Sequence, residues 1–592
     1  MNLFTRFLIV LFFSISSAMV LSCMESDEPL KEPDDSLVKK PENAIYLYKL
    51  KGSSTISSYD EAMAVACIQG VLNRNGTHLY VLSNTLNKPS YWLDIFSTKG
   101  WMAGKEQVLI NSFDQLLGIA RTKMKGVIIW DPNVPATINV ATTLAGLEDG
   151  LVLSPEMANQ YLEKIDLPVI KDFRGQFTGS VTGSKKNDAY RWAIKEYLET
   201  GRCNPHWLFL YEDSYMTRHK GDVGYIVTRD WAVYNRGFVY DLSPWGDETP
   251  LDDPNQPLGT DLDTYKLMLE AVFKLTNGKQ MTEVAGFFSF PKYSNIEGYP
   301  SKHDPVPTEW ETVYLISPYN CYQNTVAHNC FNQSVHSQAP QKNMKQGRPK
   351  LRNPEKGKTY IAILMADYDS ATPLYEFMPT HWNDEKRGSM PFLWGINPNL
   401  SETYPDIMQY LYETKSENDF FAADASCAGY INPNRIDPAY LPLFIEHNKK
   451  FYGQWDMSIS PMVLDWDEPT AAVKDAFLQF SPDGYATIIM DLHGTGGKLP
   501  QPHVWKGMPV IELINNACNF YNAEQTAKEM SSSIPKSTDE TPKYYFFRII
   551  WTSPNQVISA VDRLKEMRPD LDIEVIDAYN FFHFIKATLN DK

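Results

Sequence analysis

The sequence has no apolar run long enough to cross a bilayer, no CxxC cysteine pair and no excess of positive charge. Each lack removes a class of function. A spanning helix needs about 20 apolar residues, and residues 7–13, an apolar run near the N-terminus, fall well short. Without CxxC or Cys/His spacing there is no zinc motif. The net charge of -17 would repel the phosphates of nucleic acid or an anionic membrane surface, so neither is an expected partner. Gly494-Thr495-Gly496-Gly497 lacks the pattern of a phosphate loop and reads as a loop rim. Asp247, Glu248, Asp252 and Asp253 lack the glycine and spacing of a calcium loop and read as a solvated acidic loop.

The N-terminus supplies a sorting signal. Arg6 precedes the apolar run of residues 7–13, and Val20-Leu21-Ser22-Cys23 resembles a lipobox, in which small residues precede a cysteine that is acylated. Residues 1–22 are therefore expected to be a signal peptide of a bacterial lipoprotein, with Cys23 lipidated. Residues 23–42 are rich in Pro, Asp, Glu and Lys, with too little apolar surface to offset the entropy cost of ordering, and read as a tether. Met24 follows Cys23 where a Gram-negative inner-membrane retention signal would place Asp. The expected location is the outer membrane, lipid-anchored and facing outward. Of the other six cysteines, only Cys321 and Cys330 are close enough in sequence to suggest a disulfide.

From Asn43 onward, short β-branched or aromatic runs alternate with longer helical patterns, which marks α/β architecture. Strands are expected at residues 44–48, 78–82, 126–130, 207–211 and 284–288, with a helix capped by Ser58 and Glu61 after the first. Residues 338–358, rich in Pro, Lys and Arg and nearly devoid of apolar side chains, form the sharpest internal boundary. Beyond it, strands are expected at 360–366, 391–395, 419–423, either 450–453 or 461–464, 486–490, 508–513, 544–551 and 573–576. That count, over roughly 235 residues, suits a (β/α)8-like barrel, for which about 250 residues are typical. The expected division is three small N-terminal α/β domains at 43–150, 151–235 and 236–340, a linker at 341–358, and a C-terminal barrel-like catalytic domain at 359–592.

Polar residues just past strand ends face the mouth of such a barrel, and here they are mostly carboxylates. Asp367 and Asp369 follow the first strand, Asp424 the third, Asp465 and Asp467 flank Trp466, and Asp491 and His493 follow the run 486–490. Paired carboxyls suit glycosidic cleavage, one protonating the leaving oxygen and the other attacking or activating water. A strand-end Asp also serves as a helix N-cap, so it is the grouping that points to a site. Asp367, Asp369, Asp424 and Asp491 form the expected catalytic pool, assisted by His493. With 14 Trp and 33 Tyr in the chain, stacking on sugar rings is plausible chemistry; Tyr430, Trp382, Trp394 and Trp466 are the candidates. No cofactor is called for. A divalent ion held by Asp367, Asp369, Asp491 and His493, with His381 or His503, belongs to an alternative reading as a metal-dependent carbohydrate deacetylase or esterase.

Cys427-Ala428-Gly429-Tyr430-Ile431-Asn432-Pro433 resembles the motif that names the GxGYxYP glycoside hydrolase family, with Cys427 in place of the first Gly and Asn432 in place of the second Tyr. The segments 238–245, 258–261, 317–320 and 391–398 are similar to the family as well. The resemblance covers most of the mature chain. It implies small N-terminal α/β domains, a barrel-like C-terminal domain and a role in glycan processing. The reading is therefore a surface-tethered glycoside hydrolase whose partners are an oligo- or polysaccharide and, through the lipid, a membrane. A non-catalytic glycan-binding lipoprotein is the alternative from another class. Oligomeric state, linkage and the assignment of acid and base are not legible.

Overall fold

The computed structural model describes residues 43–50, 56–216, 224–293, 302–490, 501–518, 522–536 and 539–590. The expected signal peptide, Cys23 and tether lie outside them, as do Asp491 and His493. The chain is an α/β protein built of parallel sheets.

Three small sheets come first. Strands β1 (Ala44–Leu50), β2 (Leu79–Ser83) and β3 (Glu106–Ile110) pair in the order β2-β1-β3. Next, β4 (Gly126–Ile129), β5 (Gly150–Leu153) and β6 (Val169–Asp172) pair as β5-β4-β6, so strand pairing crosses the expected division at residue 150. The third sheet holds β7 (Trp207–Leu210), β8 (Phe238–Tyr240), β9 (Thr282–Gly286) and β10 (Cys321–Asn324) in the order β10-β9-β7-β8. All these pairings are parallel. Four-residue strands with every side chain buried, such as Trp207–Leu210, are continuous apolar runs because helices cover both faces.

The expected linker is anchored. Residues 340–355 contain no helix or strand, but the Gln346 side chain accepts from the Phe421 N–H at 2.7 Å and donates to the Phe421 carbonyl at 2.9 Å. Arg348 pairs with Asp456 and Arg352 with Glu574.

The C-terminal part contains β11 (Lys358–Ala366), β12 (Phe392–Gly395), β13 (Asp419–Ala422), β14 (Ile459–Asp465), β15 (Gly484–Ile489), β16 (His503–Trp505), β17 (Met508–Glu512), β18 (Lys543–Ile550) and β19 (Asp572–Val575). Of the two alternatives for the fourth strand, the later is the strand; residues 450–453 belong to the helix Leu441–Gln454. Among the described residues, these strands form two sheets and not one closed eight-stranded ladder. One runs β13-β12-β11-β18 with β19 on β11, the other β14-β15-β17-β16. They touch through two single bridges, Ala425 to Met462 and Ile514 to Phe547. Two strands depart from a barrel path: β16 is antiparallel to β17, and β19 pairs only with the first half of β11.

Alternate residues of a strand face opposite sides, and β11 divides cleanly. Tyr360, Ala362, Leu364 and Ala366 join a core with Tyr430, Leu464, Trp466 and Phe546, whereas Ile361, Ile363 and Met365 pack on the other side. The first face is the one over which the two sheets enclose a shared interior.

Candidate active site

The site lies where β11, β13, β14 and β18 end. Asp367 turns the chain out of β11 with φ of 67°, the left-handed region, which Asp tolerates better than most residues. Two groups hold it there. The Asp367 N–H donates to Asp424 Oδ2 at 2.6 Å, and the Trp551 indole N–H donates to the Asp367 carbonyl at 2.7 Å. Arg548 stands beside Leu364 in the β11–β18 register and donates from Nη2 to Asp367 Oδ1 at 2.6 Å. Its Nη1 donates to Asn515 at 3.0 Å.

Around this ion pair the other carboxyls are held protonated more readily than usual. Burial, with Asp367 beside it, lifts Asp369 to about 7. Burial, then Asp369 and Asp367, pushes fully buried Asp424 well up. A Cβ at Gly395 would lie 2.5 Å from Asp424 Oδ2, so only glycine lets that carboxyl sit over β12. Asp424 is thus a support for Asp367, while Asp367 and Asp369 remain partly exposed.

Two further groups were not legible in sequence. Glu309, in the helix Pro305–Ile316, faces Asp369 and Asp367; burial and these two carboxyls raise it to about 8 against the opposing pull of Arg548. Trp551, partly exposed, packs edge-on against Phe377 at 4.9 Å and borders Asp367. Val313, four residues on from Glu309, shares its helix face and is fully buried in the strand interior.

The other candidates are placed elsewhere. Trp394 points to the helix side of β12, packs on Trp382 at 5.3 Å and donates to Asp419; Trp382 donates to Thr414. Both are core residues and do not line the strand ends: β12 is buried on both faces, and Trp382 ends the helix Met378–Trp382 with its ring in the same core. Tyr430 and Trp466 do belong to the interior face, but at 1% and 3% exposure they offer no open ring. Asp465 accepts from the N–H groups of Asn434 and Trp466, shaping a loop. His381 is bound to the Tyr368 hydroxyl at 2.5 Å, and His503 to the Gln501 carbonyl. Among the described residues, no group of three or more His, Cys, Asp or Glu is placed to hold a metal ion. Cys321 and Cys330 are free buried thiols, not a disulfide; Cys330 lies 3.4 Å from the Thr372 hydroxyl. The acidic loop is only partly solvated: Asp247 pairs with Lys302, and Asp252 with Lys292.

The family motif is a seam. Tyr430 pairs with Gln323 of β10 through hydrogen bonds of 2.8 and 3.1 Å, a single antiparallel bridge that ties the motif to the edge of the third N-terminal sheet. Gly429, at φ of 109°, lies against Tyr322, whose Cδ2 would be 2.1 Å from an added Cβ. Asn432, the departure from the motif, accepts from Trp466 Nε1 and donates to the Leu464 carbonyl, so the smaller side chain is fully used.

The class is an α/β protein of parallel sheets with carboxyls gathered just past the ends of its C-terminal strands. Residues 357–586 match the GxGYxYP putative glycoside hydrolase C-terminal domain, residues 124–200 the GxGYxYP_N second domain, and residues 47–122 the GxGYxYP_N first domain. The chain belongs to the GxGYxYP family. It is also similar to a crystal structure titled a putative hydrolase from Bacteroides thetaiotaomicron VPI-5482, with a TM-score of 0.68 and 17% identity over 96% of this chain and 99% of that one. No curated protein matches the chain.

Proposed function

We propose that this protein hydrolyses a glycosidic bond in an extracellular glycan, and that the strand-end carboxyls perform the reaction. The observation that carries this reading is the juxtaposition of Asp367, tied to Arg548, with Asp369, whose pKa stands at about 7. Glycosidic cleavage needs paired carboxyls, one exchanging a proton and one charged to stabilise the positive character that develops at the sugar carbon. Environments that push neighbouring carboxyls apart in pKa are how that pair is made. The surplus of carboxyls over the Arg548 cation favours a neutral glycan over a uronic or sulfated one, which would be repelled. Trp551, in place of the buried tryptophans, is the stacking surface.

The reading includes lipidation at Cys23 and display at the outer surface, where polymeric glycans are met. The C-terminal strands are read as a barrel-like arrangement closed by the two bridges. Asp491 and His493 stay in the proposed catalytic pool on their sequence position alone.

The test is hydrolysis of a panel of neutral oligosaccharides by the mature chain, with Asp367→Asn and Asp369→Asn alongside. Turnover by the wild type and its loss in both variants is the expected result. Binding without turnover would replace this reading with that of a glycan-binding lipoprotein, and activity lost to a chelator would favour the esterase.

A further inference from the structure

The helix Pro305–Ile316 belongs in chain order to the N-terminal part, yet its second half is fastened to the C-terminal strand ends. Its start is held by the N-terminal part itself, where Trp245 Nε1 donates to Thr308 at 3.1 Å. Toward its end, Arg435 donates to the Tyr314 hydroxyl at 3.0 Å, and the Tyr314 ring lies 4.6 Å from Trp466. Just past it, the Ser317 hydroxyl accepts from the Asn432 N–H at 3.0 Å. Val313 is fully buried in the core shared by Ala366, Tyr430 and Leu464. Glu309 lies one turn before Val313 on the same face, which directs it at the strand ends where Asp367 and Asp369 stand. The Tyr430–Gln323 pairing fixes the same two parts to each other from the motif side.

We propose that Glu309 is the proton donor of the glycosidase site, so that the catalytic centre is composite and the C-terminal part alone lacks one of its acids. The proposal rests on the glycosidase reading above. Glu309 gives its proton to the glycosidic oxygen as the bond from C1 to that oxygen breaks, and the bonding electron pair stays on the oxygen. Asp369 takes a proton from the water whose oxygen bonds to C1. Water is thereby divided between the two products, and the proton gained by Asp369 returns to Glu309 through solvent. The environments agree with these roles, with Glu309 raised to about 8 and Asp369 to about 7. An acid is most useful when still protonated at working pH, and a base when already ionised.

The test compares the phenyl and dinitrophenyl glycosides of one sugar with the full mature chain and its Glu309→Gln variant. A dinitrophenolate leaves without needing a proton, whereas a phenolate benefits from one. The expected result is a loss of about 10²–10⁴-fold in kcat/KM on the phenyl glycoside, a far smaller loss on the dinitrophenyl glycoside, and disappearance of the alkaline fall in the pH profile. Equal losses on both substrates, or none on the phenyl glycoside, would overturn the donor role while leaving the glycosidase reading standing. If the wild type cleaves no glycoside in a panel of neutral sugars, that reading fails and the donor role falls with it. Should Glu309→Gln not fold, the wild-type profile decides, since a rate that does not fall as pH rises past about 8 is incompatible with this donor.

Discussion

Two clusters of acids sit at the carboxyl ends of parallel strands in this molecule, and they are built to opposite ends. In the third N-terminal sheet, Asp213 and Asp241 follow β7 and β8 and converge with Asp252 on Lys292, at 2.6, 3.2 and 3.5 Å. Lys292, Asp213 and Asp241 have no solvent exposure, and Lys186 forms a second buried pair with Asp261 nearby. Burial opposes the charge on Lys292, but the three carboxylates outweigh it and hold its pKa well above the lysine range. In the C-terminal part, the cation comes from the side: Arg548 reaches Asp367, and Asp369 and Glu309 keep partial exposure and raised pKa values. A central, enclosed cation turns acids into glue, whereas a lateral one leaves neighbouring acids able to trade protons. Neutralising one member should therefore do opposite things in the two clusters.

The largest effect is expected at Asp369. Asp369→Asn should lower kcat/KM by about 10²–10⁴-fold while leaving the thermal midpoint unchanged or raised, because a carboxyl that resists ionisation is replaced by a neutral amide of the same shape. A lowered midpoint with activity intact would make this cluster structural too. Next in size is Lys292→Met, which strands three carboxylates in a closed interior. Removing one partner of a buried ion pair costs about 3–5 kcal/mol, and urea denaturation should show a loss of that order. A change of under about 1 kcal/mol would mean the carboxylates are relieved some other way and the cluster is not glue.

How much of this was legible in the sequence follows from what each signal encodes. Most C-terminal strands were readable because β-branched and aromatic runs alternate with helical spacing. The carboxyls after β11 and β13 were readable because a strand end fixes where the next residue goes. The face of a strand buried on both sides is not encoded, so Trp394 could not be told from a residue at the mouth. Cys321 and Cys330 are close in sequence, but β10 carries one into the sheet while the other turns toward Thr372. Composition marked residues 341–358 as a linker and could not show that one amide, Gln346, is hydrogen-bonded to the strand at Phe421. Glu309 was hidden because it precedes Asp367 in a different part of the chain; only a long-range docking puts them together.

The pH dependence of stability should separate the clusters again. Asp369 and Glu309 fold with pKa values of about 7 and about 8, against roughly 4 for unfolded carboxyls. A raised folded value means the native state binds the proton more tightly, so the contribution is complete below about 4 and is lost as pH rises through 7 to 8. The thermal midpoint should fall across that window, and Asp369→Asn and Glu309→Gln should each flatten the slope. In the Lys292 cluster Lys292 stays charged throughout, and burial raises Asp213 only to about 6, so that cluster's share of the fall is complete at a lower pH. A wild-type midpoint that is flat from about pH 4 to 8 would count against the raised values and the roles built on them.

The smallest effect tests the seam that makes the C-terminal cluster possible. Gly429→Ala must hold alanine at a φ of 109° and place a methyl 2.1 Å from the Tyr322 ring, so either the ring or the motif segment has to move. Strain of this kind costs about 1–3 kcal/mol, and it falls on the pairing between Tyr430 and Gln323. A matched control is Gly453→Ala. Gly453 lies inside the helix Leu441–Gln454 with open space where the methyl would go, and alanine there should add about 0.5–1 kcal/mol. If the motif positions Glu309 over Asp369, Gly429→Ala should lower kcat/KM as well as the unfolding midpoint, and Gly453→Ala should leave kcat/KM alone. Were Gly429→Ala to lose stability yet keep full activity, the seam would hold the fold together without setting the site.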